Sequence, residues 1–325
     1  MTTPLNGKLV TVFGGSGFVG RHVVHALARR GWRVRVAVRR PDLAFHLQPL
    51  GSVGQIHAVQ ANLRYPDSVA HAVTGSDAVV NLVGILSQSG RQTFDAVQAF
   101  GARAVAQACK DAGITDLVHM SAIGADANSP SGYGRSKAAG EAAVRELVPQ
   151  AVIMRPSILF GPEDDFFNRF ASMARMSPVL PLIGGGKTRF QPVFVGDVAE
   201  AVARAVEGEA EAGATYELGG AQVKTFRECM EMMLEITARK RLFVPLSFRM
   251  AGSLARVLQM IPGSPLTKDQ VAMLKSDNVV SEEAVAAGHT LSGLGITPVT
   301  LAAILPGYLW RFRVHGQFDS AYHAK

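Results

Sequence analysis

A chain of 325 residues that is 48% hydrophobic and 18% charged has apolar material for one large core and a smaller lobe, which excludes a disordered protein. Its two cysteines, Cys109 and Cys229, lie far apart without metal-ligand spacing, so buried free thiols in a reducing compartment are expected rather than a disulfide framework or a metal centre. A net charge of +7 is modest for this length and accompanies no base-stacking platform, and no apolar run is long enough to span a bilayer, so neither nucleic acid nor a transmembrane helix is expected.

The first strand begins at Lys8 or Leu9, so no signal peptide or arginine-rich presequence is expected, hence a bacterial-type cytoplasmic protein. Val10-Thr11-Val12-Phe13 reads as a buried strand, and Gly14-Gly15-Ser16-Gly17 as a turn. Phe18-Val19-Gly20, continued through His22 to Arg30, reads as a helix. Gly14, Gly17 and Gly20 suit a tight turn, an unobstructed approach to a pyrophosphate and close helix–strand packing, with the helix N-terminus facing the phosphates. Ser16 and Phe18 share that loop, and the strand–glycine–helix context makes it a dinucleotide site.

The next strand, Arg33 to Val38, ends in Arg39-Arg40, at roughly the 20-residue interval where a ribose-binding residue is expected. An acid there would accept from the 2'-hydroxyl, whereas guanidinium groups grip a 2'-phosphate, so NADP(H) is expected rather than NAD. Asn62, after the strand Gln55 to Gln60, is placed beside the adenine. Asn81, Leu82, Val83 and Gly84, at the end of a strand near Ala78, are placed along the dinucleotide crevice.

A helical stretch, Ala96 to Ala112, leads to a strand over Leu117 to Met120 that ends at Ser121. Tyr133 and Lys137 then share one face of a helix running on through Ala138 to Leu147. An ammonium beside a phenol would lower its pKa from about 10 and hold a nicotinamide ribose, while the phenol exchanges a proton with a carbonyl or alcohol that Ser121 orients. Ser121, Tyr133 and Lys137 are the candidate catalytic residues. A strand near Val152 follows, the alternation loosens after Gly161-Pro162, Gly184 to Gly186 mark a loop, and Tyr216 to Gly220 read as one last strand.

Strands alternating with helices predict an α/β protein, a Rossmann-type doubly wound parallel sheet with a smaller, mainly helical C-terminal lobe. Residues 1–160 form the NAD(P)-binding core, completed by approximately 190–220. Residues 161–189 and 221–325 form the smaller substrate or partner lobe.

The glycine loop, Ser121 and the Tyr133/Lys137 pair together resemble the short-chain dehydrogenase/reductase superfamily. Ser121-Ala122-Ile123-Gly124-Ala125 and Arg155-Pro156-Ser157-Ile158-Leu159-Phe160-Gly161-Pro162 resemble its extended and atypical branches. Downstream, Asp164 to Ala171, Phe190 to Ala199, Leu266 to Val271 and Leu274 to Val280 are similar to the nucleotide-binding accessory subunits of respiratory complex I, ninth of the alpha subcomplex, in a bacterial form. That resemblance implies a tightly held NADPH, complex I subunits as partners, and a role in assembly or stability. It carries Gly14, Gly17 and Gly20 over as pyrophosphate contacts and Arg39 with Arg40 as 2'-phosphate contacts. Tyr133 and Lys137 become ribose and nicotinamide contacts, and Ser157 after Pro156 faces the carboxamide. The intact Ser121, Tyr133 and Lys137 set does not look like a dead active site.

Between Ala238 and Lys268 stand Arg239, Lys240, Arg241, Arg249, Arg256 and Lys268 without one Asp or Glu. Met250, Leu254, Val257, Leu258 and Ile261 recur there at helical spacing, with Arg249, Arg256 and Gln259 opposite. This is the pattern of a helix at a lipid headgroup surface or on a partner, or of a core-facing helix with a solvated basic face. Tyr308-Leu309-Trp310-Arg311-Phe312-Arg313 mixes aromatics with arginines and suits the same surface or a docked partner. Three functions follow: an NADPH-binding accessory subunit of a quinone-reducing respiratory complex, peripheral on the cytoplasmic face of the inner membrane; a free-standing NADP-dependent reductase, epimerase or dehydratase; and a non-catalytic NADP redox sensor.

Overall fold

The computed structural model describes residues 5–258 and 266–314. The chain divides into two compact units. The first takes in the residues up to Pro156, Val195–Leu218 and Val280–Thr297; the second takes in Ser157–Phe194, Gly219–Val279 and the chain from Pro298. In order, the first unit contributes β1 (Leu9–Phe13), α1 (Phe18–Arg29), β2 (Arg33–Val38), β3 (Ile56–Gln60), α2 (Pro66–Val73), β4 (Ala78–Asn81), α3 (Phe100–Asp111), β5 (Leu117–Met120), α4 (Gly132–Leu147) and β6 (Val152–Pro156). The second opens with β7 (Leu159–Phe160), α5 (Phe167–Met176), β8 (Val179–Ile183), β9 (Arg189–Phe190) and β10 (Val193–Phe194). The first resumes with α6 (Val195–Val206) and β11 (Thr215–Leu218). The second continues through β12 (Lys224–Thr225), α7 (Phe226–Ile236), β13 (Leu242–Leu246), α8 (Phe248–Leu258) and α9 (Lys268–Met273). The first then takes α10 (Glu282–Ala286), and the second ends with α11 (Leu301–Leu309).

The first unit is a seven-stranded sheet in the order β11-β6-β5-β4-β1-β2-β3, and every neighbouring pair is parallel. From β1 the chain moves outward through β2 and β3, then restarts at β4 on the other side, so the strand ends of β1 and β4 flank a topological switch point where α/β sheets bind ligands. Phe13, Val79 and Leu117 pack on one face against Val69, Val105 and Val144 of α2, α3 and α4. The central strands β1, β4 and β5 are buried almost end to end because both faces are covered, whereas the edge strand β3 is largely open. In α1 the buried positions are Gly20, Val23, Val24, Leu27 and Ala28, a single helical stripe. Gly31, at φ +82°, ends that helix in a conformation few other residues adopt.

The segment Val280–Thr297, assigned to the smaller lobe by its place in sequence, belongs to the first unit. The Glu217 amide donates to the His289 carbonyl at 2.9 Å, and the Ser281 amide donates to the Glu217 carboxylate at 2.8 Å. Such pairings are long-range and leave no trace in local periodicity.

The second unit buries Phe160, Phe167, Phe190 and Phe226 with Met230, Met233, Leu305 and Tyr308. Alongside its helices it holds three two-stranded sheets, pairing β10 with β7, β12 with β9 and β13 with β8. The Tyr308 hydroxyl donates to buried Asp164, which also accepts from the Gly161 and Asn168 amides and so ties α11 to the start of α5. Cys109 and Cys229 are buried and free, and burial pushes each thiol up to about 12. No described helix is long and apolar enough to cross a membrane.

Candidate functional site

Gly14 leaves β1 at φ +77°, and its amide donates to the Ala37 carbonyl of β2, which holds the turn against the sheet. The Gly17 amide donates to the Gly14 carbonyl at 3.0 Å, and half-buried Ser16 lies between them. Gly17 is exposed and is the N-cap of α1; no side chain caps that end, and no acid stands in its first turn. The helix therefore presents unsatisfied amides and the positive end of its dipole. Phe18, its first residue, packs edge-on against His22. Gly20 is the tightest position of this loop: a methyl placed on it would lie 2.6 Å from the Gly15 Cα and carbonyl carbon and would also strike the Gly14 carbonyl oxygen.

Arg39 and Arg40 both project from the end of β2 and are exposed, but they are not equivalent. Arg40 makes a two-point contact with Asp42, at 3.0 Å through Nε and 2.7 Å through Nη2, whereas Arg39 has no ion-pair or hydrogen-bond partner among the described residues. The Asp42 contacts raise the already high Arg40 pKa and lower that of Asp42. In the sequence the two arginines are equivalent; the acid two residues beyond Arg40 leaves only Arg39 uncommitted. Asn62, half-buried, turns its Oδ1 to the Arg64 amide and accepts from Ser68 and Tyr65 at its carbonyl, so it shapes the loop after β3.

Residues expected to line one crevice converge through a chain of contacts. A methyl on Gly14 would lie 3.2 Å from a Val83 methyl, and one on Gly84 would lie 3.2 Å from the Lys137 Nζ. Lys137 donates to the Met120 carbonyl at 3.0 Å, one residue before Ser121. Leu82 donates its amide to the Phe13 carbonyl, and the Val83 amide donates to Asn81 Oδ1. The Ser121 amide donates to the Met154 carbonyl, and the Pro156 carbonyl accepts from Ile123. Ser157 opens the second unit, where its hydroxyl contacts the Asn278 carbonyl and Oδ1 at 2.8 and 2.7 Å.

Tyr133 and Lys137 are both buried on α4, with the Nζ 6.0 Å from the phenol ring centroid. Burial pushes the Tyr133 phenol up to about 12, the reverse of the lowering expected from a neighbouring ammonium. Burial also pulls Lys137 down to about 8 against the favourable charge of Glu141. Desolvation wins in both because each neutral form loses less on leaving water. Phe94 packs edge-on to the Tyr133 ring at 5.9 Å.

Ser121 Oγ, His119 Nε2 and Trp32 Nε1 are the buried side-chain polar atoms without a partner among the described residues. Two of the three belong to the end of β5. His119 lies 3.3 Å from Asn81 through Nδ1 and is held down to about 3 by burial, with Lys137 and Arg145 reinforcing the shift. An orphaned hydroxyl at 3% exposure is costly unless a bound group completes it. Ser121 and the uncapped amides of α1 thus fit a dinucleotide whose pyrophosphate meets α1 and whose nicotinamide end meets Ser121.

Sequence inspection missed Gln98. It sits in a single π-helical turn, Asp95–Ala99, where a continuous helix from Ala96 was expected. Its buried amide donates to the Ile85 carbonyl at 2.7 Å and accepts from Ser136 at 2.5 Å, joining the Gly84 loop to α4. A π-turn has no propensity signature, so nothing in the sequence marked it. Glu141, at 1% exposure, was likewise unforeseen; it binds Arg155 through two bonds and Arg145 through a third.

A model of the NAD dependent epimerase/dehydratase family matches residues 10–219, from within β1 to just past β11. The chain belongs to that family. Among its relatives, the mitochondrial NADH dehydrogenase (ubiquinone) 1 alpha subcomplex subunit 9 of Arabidopsis thaliana is 33% identical over 321 residues, covering 96% of this chain and 80% of that protein. A ceramide reductase of Caulobacter vibrioides is 36% identical over 183 residues, 56% of each chain. The NADPH-dependent quinone oxidoreductase QOR2 of Escherichia coli, solved with NADPH, has a TM-score of 0.72 at 20% identity, covering 93% of this chain and 99% of that one, and so shares the fold. In this epimerase/dehydratase chain the family span carries the glycine loop, Arg39, Ser121, Tyr133 and Lys137, and the similarity to subunit 9 extends well beyond it.

Proposed function

We propose that this chain is an NADPH-binding accessory subunit of a respiratory NADH:ubiquinone oxidoreductase, serving assembly or stability. The observation that carries this reading is the length of the subunit 9 similarity, which covers 96% of the chain where the family model stops at residue 219. The pyrophosphate is assigned to Gly14, Ser16, Gly17, Phe18 and Gly20, the 2'-phosphate to Arg39 with Arg40 at its flank, and the adenine to Asn62. The dinucleotide runs past Leu82, Val83 and Gly84 to Tyr133, Lys137 and Ser121, with Pro156 and Ser157 at the carboxamide. NADPH supplies a hydride donor when bound. The phenol, pushed up to about 12 by burial, supports a holding role, because it is not poised for proton exchange near neutral pH. The subunit is assigned a peripheral place on the cytoplasmic face of the inner membrane.

The test is capture of tagged protein from gently solubilised membranes of its host, with mass spectrometry of co-purifying proteins and extracted nucleotide. Respiratory-complex subunits with stoichiometric NADPH are expected; a lone protein with exchangeable nucleotide overturns the reading. The nucleotide assignment has its own check. Arg39→Ala is expected to weaken NADPH by roughly ten- to hundredfold, the range for a lost bond to a charged group, while NADH affinity holds. Titration calorimetry showing equal loss for both nucleotides refutes the 2'-phosphate assignment.

One observation favours a second reading, a free-standing NADP-dependent ketone reductase. Ser121 Oγ is buried without a partner beside an intact Tyr133/Lys137 pair, and the carbonyl oxygen of a substrate would complete it. The ceramide reductase similarity points the same way over part of the chain. Turnover of a long-chain ketone with NADPH by the isolated protein is what this reading requires, and its absence over a substrate panel sinks it.

A further inference from the structure

Helix α8 in the second unit packs through small residues and leaves Met250 and Leu254 in solvent. Ala251 and Ala255, both fully buried, seat it against Ile183 and Val271, and the Phe248 ring lies over Gly184. Met250 is 61% exposed and Leu254 45% exposed, one helical turn apart on the same side. Arg249 and Arg256 are exposed along the flank of that stripe. In β13, which ends one residue before α8, Leu242 and Val244 are also exposed. A core-facing amphipathic helix would place these side chains the other way round. Gln259 and Ile261, counted in the same pattern, lie outside the described residues, as do the side chains of Val257 and Leu258.

The basic charge of this stretch also divides in two. Arg239 donates to the Phe312 carbonyl at 2.7 Å and Arg241 to the Ala174 carbonyl at 2.6 Å, so both are committed within the unit. Lys240, Arg249 and Arg256 are exposed, with no ion-pair partner among the described residues, and no acid lies between 238 and 268 to oppose them.

We propose that Met250 and Leu254, flanked by Arg249 and Arg256, dock this unit on an anionic phospholipid leaflet, with α8 lying in the headgroup plane. Such a leaflet supplies a continuous negative surface to the cations and takes flexible apolar side chains without a shaped cavity. A protein partner would have to bring its own acids and an apolar counter-surface, and interface cores are poor in lysine. The proposal extends the peripheral-membrane location given to the subunit and is independent of its nucleotide.

Full-length protein is sedimented with vesicles of phosphatidylcholine alone or mixed with phosphatidylglycerol. Binding is expected only to the anionic vesicles and is lost at high salt as the charges are screened. Arg249→Gln with Arg256→Gln is expected to weaken it roughly tenfold or more, and Met250→Ser with Leu254→Ser to weaken it comparably. Because the four side chains are exposed, both double variants should melt with the parent, which separates lost docking from lost folding. Equal binding to both vesicles, no binding, or binding untouched by either variant overturns the proposal. So does loss of respiratory subunits from the captured variants while vesicle binding persists, since a protein then covers this face. Vesicle sedimentation and subunit capture are separate readouts, so either proposal can fail alone.

Discussion

Gly20→Ala is expected to abolish NADPH binding and to lower stability by about 3 kcal/mol, the upper end of what an overpacked methyl costs. The added carbon meets the backbone of Gly14 and Gly15, 2.6 Å from the Gly15 Cα, and backbone cannot rotate aside as a side chain can. Relief requires α1 to lift from the loop, which moves the very amides assigned to the pyrophosphate. Calorimetric titration with NADPH and a thermal melt of the same sample read the two losses together. Gly252→Ala, in α8 with nothing within 4 Å of an added methyl, is the control and should be neutral or slightly stabilising, as alanine is the better helix former. A Gly20→Ala protein that binds NADPH as the parent does would dismiss the glycine cradle.

Lys137→Met is expected to do the opposite to stability while still weakening the nucleotide. A lysine drawn from 10.5 down to about 8 carries a penalty of about 3 kcal/mol in its charged native form, at 1.36 kcal/mol per unit. Removing the ammonium relieves that penalty but leaves the Met120 carbonyl without its donor, a loss of about 1 kcal/mol, so a net gain of about 2 kcal/mol remains at pH 7. The pH dependence has a definite sign. Below pH 8 the lysine is protonated folded and unfolded, so the native protein bears the whole penalty. Between about 8 and 10.5 the unfolded chain holds a proton that the native chain has released, so parent stability rises with pH. The advantage of the methionine variant therefore shrinks across that window and above it turns into a deficit of about 1 kcal/mol, the lost bond to the Met120 carbonyl. Melts at pH 7 and pH 10 in parallel check this; a methionine variant less stable than the parent at pH 7 means that the ammonium is better satisfied than its burial implies.

The two variants mark what a linear reading reaches. Gly14, Gly17 and Gly20 were legible because a missing side chain is written in the sequence and its purpose is local: one turn and one helix start. Tyr133 and Lys137 were legible as a pair because helical spacing alone brings them to one face of α4. The alternation of strands with helices gave the parallel sheet because parallel neighbours need a helical crossover between them. Their electrostatics were not legible. The direction of the Tyr133 and Lys137 shifts depends on how much water α3, α4 and β5 exclude together, and that volume is assembled from segments far apart in the chain.

Charge and apolarity along the chain identified which residues were available; only packing decided which were committed. Arg39 and Arg40 are identical as letters, and the fold of the loop after β2 pairs one with Asp42 and leaves the other open. Arg239 and Arg241 enter the same basic tally as Arg249 and Arg256, yet two are bound to carbonyls and two face water. In α8 the periodicity left open whether Met250 and Leu254 meet a lipid surface, a partner or the core, and the structure buries Ala251 and Ala255 against Ile183 and Val271 while Met250 and Leu254 stay exposed. By itself the sequence determined the sheet, the glycine cradle and the residue types at the strand ends, all properties of short segments. The tertiary structure decided which hydroxyl is orphaned, which guanidinium is uncommitted and which face of a helix meets the solvent, because each depends on neighbours brought in from elsewhere in the chain.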